Sequence, residues 1–152
     1  MIKKKINKII IEYIPDNDAD LDYLGKFSNE PSKFAVKHEP INRNEYKYFN
    51  ADNVDNMKHA KENYKRMMDY EKGNFSIYGV KATAEIYTEA GQGSWLINKI
   101  SSGGLWRLES DGGEENFKEV EAEQLDDLKD VLLALGFTAG QIARAPREIK
   151  KD

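Results

Sequence analysis

The side chains able to do chemistry in this chain are mostly acids, and their spacing decides which chemistry is open to them. Asp16, Asp18, Asp20 and Asp22 recur at every second position in DNDADLD, as at the start of a calcium loop. An EF-hand loop also needs Gly at its sixth position and a bidentate Glu at its twelfth. Counted from Asp16, those places hold Leu21 and Phe27, so the expected structure is a solvated Asx-rich turn. Glu109 and Asp111 flank Ser110, but paired carboxylates do acid–base work only in a pocket that fixes their separation. Glu109 ends a predicted strand and Asp111 opens a glycine turn, which is ordinary turn chemistry.

Other catalytic patterns are missing. His38 and His59 lack an HExxH context, Gly91 and Gly93 form a lone G-x-G, and no GxSxG, phosphate loop or dinucleotide fingerprint occurs. With no cysteine, disulfides, thiolate zinc sites and thiol catalysis are excluded together. The expectation is a protein that is not an enzyme and uses no metal and no cofactor. An enzyme or metal reading through Asp16, Asp18, Asp20, Glu109 or Asp111 ranks last.

Charge layout is the stronger signal. Between Glu109 and Asp130 lie ten acids and two lysines, a local balance of −8 against −4 for the whole chain. Both ends are basic, with Lys3, Lys4, Lys5 and Lys8 at one and Arg144, Arg147, Lys150 and Lys151 at the other. Such an acidic block is commonly a solvated helix face. The sharper expectation is a docking surface for a basic groove, even a partial nucleic-acid mimic, because focused charge steers association. Lys58, Lys61, Lys65 and Arg66 form a basic cluster that suits nucleic-acid contact, although a pI near 5.3 argues against a general backbone binder.

These groups need a scaffold. The chain has 152 residues, 39% hydrophobic and 33% charged, with a mean hydropathy of −0.75. This predicts one domain over 1–152 with a modest core, and flexible ends at the basic tip 1–5 and the tail 138–152. No apolar run is long enough to span a membrane, and in MIKKKINKIII the apolar stretch is too short for a signal-peptide core. A cysteine-free chain fits a reducing cytoplasm.

Ile6 to Ile14 is β-branched and aromatic and stops at Pro15, which predicts a strand. Tyr23 to Asn53 has two prolines and no sustained period, so it reads as a long irregular excursion with a short strand near Tyr46 to Phe49. Its aromatics Tyr23, Phe27 and Phe34 are expected to tack it to the core. Val54 to Lys72 reads as a helix capped by Asn53 or Asp55 and ended by Gly73, with a stripe of Met57, Ala60, Tyr64, Met67 and Met68. Phe75 to Thr88 alternates, placing Tyr78, Val80, Ala82, Ala84 and Ile86 on one face. Trp95 to Ile100 and Leu105 to Glu109 are expected to pair as a hairpin through Ser101–Gly104.

After the acidic turn, Phe117, Val120, Gln124, Leu125, Leu128, Val131, Leu132 and Leu135 make a helical stripe, which Gly136 terminates. This stripe should pack on Val80, Ala82, Ala84 and Ile86. Strict alternation lets only one of Leu105 and Trp106 face the core. Trp106 with Leu108 buries more apolar area than Leu105 with Arg107, so that register is expected; the opposite one would expose Trp106 as an interface signal. The fold class is α+β: an antiparallel sheet of about four to five strands with two main helices on one face, in the order β-β-α-β-β-β-α.

Several stretches resemble an uncharacterised family of small proteins encoded in phages, prophages and plasmids. They are IEYIPDNDADLDYLGKFSNEP at Ile11–Pro31, EYKYFN at Glu45–Asn50 and NYKRMMDYEKGNFSIYGVKATAEI at Asn63–Ile86. The most specific is ISSGGLWRLESDGG at Ile100–Gly113, followed by EVEAEQLDDLKDVLLALGF at Glu119–Phe137. The resemblance brings no catalytic residues. A fainter likeness is to plasmid antirestriction proteins of the ArdB and KlcA type, which also place a glycine-aromatic hairpin before a C-terminal helix. The resemblance implies a mobile-element protein of the host bacterial cytoplasm that inhibits a host defence protein, of anti-CRISPR or antirestriction type, by stoichiometric contact. The expected contact residues are Ser101, Ser102, Gly103, Gly104, Trp106, Glu109, Asp111, Glu115, Glu119, Glu123 and Asp127. The alternative is a nucleic-acid-associated accessory protein using Lys58, Lys61, Lys65 and Arg66.

Overall fold

The computed structural model describes residues 3–38 and 46–151. Parts of the basic tip, of the long excursion and of the C-terminal tail (1–2, 39–45 and 152) lie outside the described residues. The chain divides into two compact units, one formed by the residues up to Asn17 with those from Ile77 onward, the other by Asp18–Ser76.

The first unit is a mixed five-stranded sheet with one long helix on it. β1 (Lys4–Pro15) and β5 (Ile77–Glu89) form its antiparallel centre. Their register pairs Ile9 with Ala84, Ile11 with Ala82 and Tyr13 with Val80, and cross-strand partners project to the same face. That face receives α2 (Glu114–Ala134), whose buried positions are Val120, Gln124, Leu128 and Leu132. Ala82 and Ala84 are wholly buried beneath Leu128 and Leu132, so the expected close approach over small residues is present. Val131 and Leu135 are exposed; the core-facing stripe is narrower than the sequence pattern.

α2 ends in a Schellman motif. Gly136, at φ +97, donates to Leu133 O at 3.0 Å, and Phe137 donates to Leu132 O at 3.1 Å. Phe137 then joins the same core cluster as Leu132. Within the expected tail, the described residues form two further elements. α3 (Ala139–Arg144) starts with a complete Thr138–Gln141 capping box, and β8 (Arg147–Lys151) pairs parallel with β1. The sheet is therefore mixed, whereas an all-antiparallel one was expected.

The larger correction concerns the expected hairpin. β6 (Trp95–Ser101) and β7 (Leu105–Glu109) do not pair with each other; both pair antiparallel with β5. β1 covers the opposite edge of β5 along nearly its whole length, so β6 and β7 lie end to end along one edge. The true reversal is Ala90–Ser94, where Gly91, Gln92 and Gly93 all take positive φ and Ala90 N–H donates to Ser94 O at 2.8 Å. Ser102–Gly104 interrupts what is otherwise one long strand.

The second unit holds β2 (Gly25–Ser28), β3 (Ala35–Lys37), β4 (Tyr48–Ala51) and α1 (Met57–Glu71). The stretch expected to be irregular is a three-stranded sheet in the order β2-β4-β3. Phe49 is fully buried, with the rings of Phe27 at 5.3 Å and Tyr64 at 5.6 Å. α1 packs on β3 and β4, so the expectation of both main helices on one sheet face is corrected. Its N-cap is Asn56, whose side chain accepts from His59 N–H, and Gly73 at φ +77 ends it.

Candidate functional site

The acidic face of α2 is set by the helix itself. Residues three and four apart share a side, so Glu115, Glu119, Glu123, Asp126, Asp127 and Asp130 line the side opposite Leu128, and all six are exposed. The run from Glu115 to Asp130 covers about 22 Å at 1.5 Å per residue. Lys118 pairs with Glu114 at 3.7 Å. Among the described residues, the six carboxylates have no cationic partner within ion-pair distance. At the other end of the helix, Lys3, Lys4 and Lys5 line a cleft with Leu135, Gly136 and Phe137, where the negative end of the helix dipole favours cations. The unit is thus polar in charge from one part to the other.

Two residues of this helix serve structure. Glu121 accepts a very short hydrogen bond from the Tyr13 hydroxyl. Tyr13 is buried, with edge-on rings of Tyr78 at 6.5 Å and Phe117 at 6.0 Å. Burial, and then this hydrogen bond, raise its phenol well above the usual range. Gln124, the single polar residue in the buried stripe, reaches the strand interruption. Its Oε1 accepts from the Ser102 hydroxyl at 2.7 Å and from Gly104 N–H at 3.0 Å. The same hydroxyl accepts from Ala82 N–H at 2.9 Å, so the amide side chain of a helix completes hydrogen bonding where the strand ladder breaks. A polar residue inside an apolar stripe was the sequence signal for this role.

The expected contact set does not come together as one surface. Ser102 is buried, and it and Gly104 belong to the Gln124 pin. Ser101 is exposed, with its hydroxyl hydrogen-bonded to Thr83 at 2.8 Å, and Gly103 is exposed. Glu109 ends β7 half-buried, and Asp111 lies in the following turn, where Gly112 N–H donates to Glu109 O. Glu115, Glu119, Glu123 and Asp127 are together on α2.

Trp106 departs from both sequence registers. Arg107 takes φ +67, and the β5–β7 register shifts between Tyr78 and Val80, a bulge that inserts one residue. Leu105 and Leu108 consequently lie on the helix face, Leu108 at 8% exposure, while Trp106 projects to the opposite face at 46%. Its indole covers Gly79, where any Cβ would overlap the ring.

In the second unit, Lys58, Lys61 and Lys65 are exposed on α1. Arg66 is half-buried, with its guanidinium 3.5 Å from the centroid of the Phe75 ring, so stacking there competes with any phosphate contact. The aspartate run forms the expected turn, with Asp22 N–H donating to Asp20 Oδ1 at 2.8 Å. Among the described residues no group of three or more His, Cys, Asp or Glu is placed to hold a metal, and no helix is long and apolar enough to cross a membrane. Comparisons of the chain with protein-family models, with curated proteins and with solved structures find no match.

Proposed function

We propose that this protein is a non-enzymatic inhibitor that binds a host defence protein, of anti-CRISPR or antirestriction type, by stoichiometric contact through the acidic face of α2. The observation that carries the contact surface is the row of six exposed carboxylates without cationic partners among the described residues, on a helix whose other side is fixed in the core. A rigid row of like charge matches a basic groove without ordering cost in the helix, and it raises the encounter rate. The class of partner rests on the resemblance of Ile100–Gly113 and Glu119–Phe137 to mobile-element proteins. Trp106 lies on the other face of the sheet, so the contact surface is narrower than the residue set expected from sequence.

The test is a tagged pull-down from bacterial lysate with and without nuclease, run in parallel with Glu119→Lys/Glu123→Lys/Asp127→Lys. A stoichiometric, nuclease-resistant restriction or CRISPR subunit, held by the natural chain and released by the triple variant at unchanged melting temperature, is the expected result. Equal retention by the variant would remove the acidic face from the contact. Capture that disappears with nuclease would transfer the function to nucleic acid and make Lys58, Lys61 and Lys65 the positions to change.

A further inference from the structure

The two edges of the five-stranded sheet differ. β8, at one edge, is five residues long and four of them are charged, the usual guard against unwanted strand pairing. β6, at the other, is seven residues long, unbroken in register against β5, and carries one charge, Lys99. Trp95, Leu96 and Ile97 are exposed at 41%, 58% and 59%. No proline or bulge interrupts β6 itself.

The hydrogen-bond phase of β6 is fixed at both ends. Ala90 N–H donates to Ser94 O, and Ser102 N–H donates to Ala82 O, each at 2.8 Å. Even-numbered residues therefore exchange hydrogen bonds with β5, and Trp95, Ile97, Lys99 and Ser101 direct their N–H and C=O outward. The outward-bonding residues pair with Thr83, Glu85, Tyr87 and Glu89, which alternate with the helix-facing Ala82, Ala84 and Ile86, so by register their side chains belong to the other face. Trp95, at the start of the strand, also borders the cleft at the C-terminal end of α2, with Lys5 Nζ 5.0 Å from its ring centroid.

We propose that this edge is the two-fold interface of a homodimer, in which β6 pairs antiparallel with β6 of a second copy about Ile97. A second copy fits the edge because the strand complements itself in that register. Ile97 meets Ile97 on the dyad, and each Lys99 lies across from the other copy's Trp95, a cation–π pairing that also keeps the two lysines apart. Asn98 falls opposite Leu96 on the helix side. Every outward backbone group from Trp95 to Lys99 gains a partner, and the sheet runs continuously through both copies. The carboxylates of α2 point away from the sheet, so strand addition leaves both acidic faces open.

The test uses the full chain. Sedimentation or light scattering across a wide concentration range should give a species of twice the 17.4 kDa chain mass. Ile97→Pro removes only an outward-directed N–H and spares the β5 ladder; it should shift the mass to the monomer with the circular dichroism spectrum retained. Ile97→Lys should do the same by placing two ammonium groups together on the dyad. Because the chain has no cysteine, Ile97→Cys gives a direct readout: Cα atoms of a hydrogen-bonded antiparallel pair are about 5.5 Å apart, within disulfide reach. Mild oxidation should give a covalent dimer, whereas Leu133→Cys, exposed on α2, should not. A natural chain that stays monomeric overturns the proposal. So does a dimer that survives both Ile97→Pro and Ile97→Lys and is not cross-linked through Ile97→Cys, or a mass that grows without closing at two copies.

Discussion

Ser102 and Gln124 are joined by a buried 2.7 Å hydrogen bond across 22 positions of chain, and through it the break in the edge strand is tied to the centre of α2. At the break, the Ser102 hydroxyl accepts from Ala82 N–H, and the Gln124 amide oxygen accepts both from that hydroxyl and from Gly104 N–H. The same residue faces inward on the helix whose outer side carries the carboxylates. The strand edge and the acidic face are therefore held by one helix in one orientation.

Replacing Gln124 with Leu keeps the volume and removes the acceptor. The Ser102 hydroxyl and Gly104 N–H lose their partner, at roughly 1–3 kcal/mol for each buried group left unsatisfied. Chemical denaturation should show this loss, and the Gly104 amide should exchange hydrogen faster. If Gln124→Leu is as stable as the natural chain, the pin contributes nothing to the fold.

Leu128 is 1% exposed and packs against Ala82 and Ala84. With small residues beneath it, little is available to collapse into the space it leaves. Leu128→Ala is expected to destabilise by roughly 2–5 kcal/mol, measured by denaturant midpoint at unchanged slope. A loss under 1 kcal/mol would mean that α2 is not seated on β5 as described.

Gly79 gives Trp106 its resting place. Gly79→Ala would displace the indole, at a cost of roughly 1–3 kcal/mol if it resists. On a Trp95→Phe background, where Trp106 is the sole tryptophan, its emission should move to longer wavelength as the ring swings into water. An unchanged spectrum would place Trp106 elsewhere.

The Tyr13–Glu121 hydrogen bond makes stability depend on alkaline pH. The folded chain holds the phenol protonated above its ordinary value of 10.0. Its contribution is therefore complete below pH 10 and is lost as pH rises beyond it, because the unfolded chain then releases the proton first. Tyr13→Phe should lower stability by roughly 1–2 kcal/mol near neutral pH. The difference in melting temperature between the two proteins should stay flat up to about pH 9.5 and narrow above 10. A difference independent of pH through this range would exclude the assignment.

Local patterns in the sequence determined the elements that depend on local rules. The period of α2, the alternation of β5, the strand character of β1 and the terminating glycines Gly73 and Gly136 follow from neighbouring residues, and so does the carboxylate row, since helical spacing alone places it. The tertiary structure decided what depends on a partner strand. Period-two alternation read Trp106 and Leu108 as facing one way; the bulge at Arg107 adds a residue that only pairing with β5 creates, and it turns Trp106 to the opposite face. Ser101–Gly104 has the composition of a turn, yet β7 finds free hydrogen-bonding groups farther along β5 and continues past β6 instead of folding back on it. β8, charged along most of its length, has no apolar pattern to announce a strand; the parallel ladder that it makes with β1 supplies its order. Gln124 looked like one polar residue in an apolar stripe, and its purpose exists only because the strand breaks opposite it.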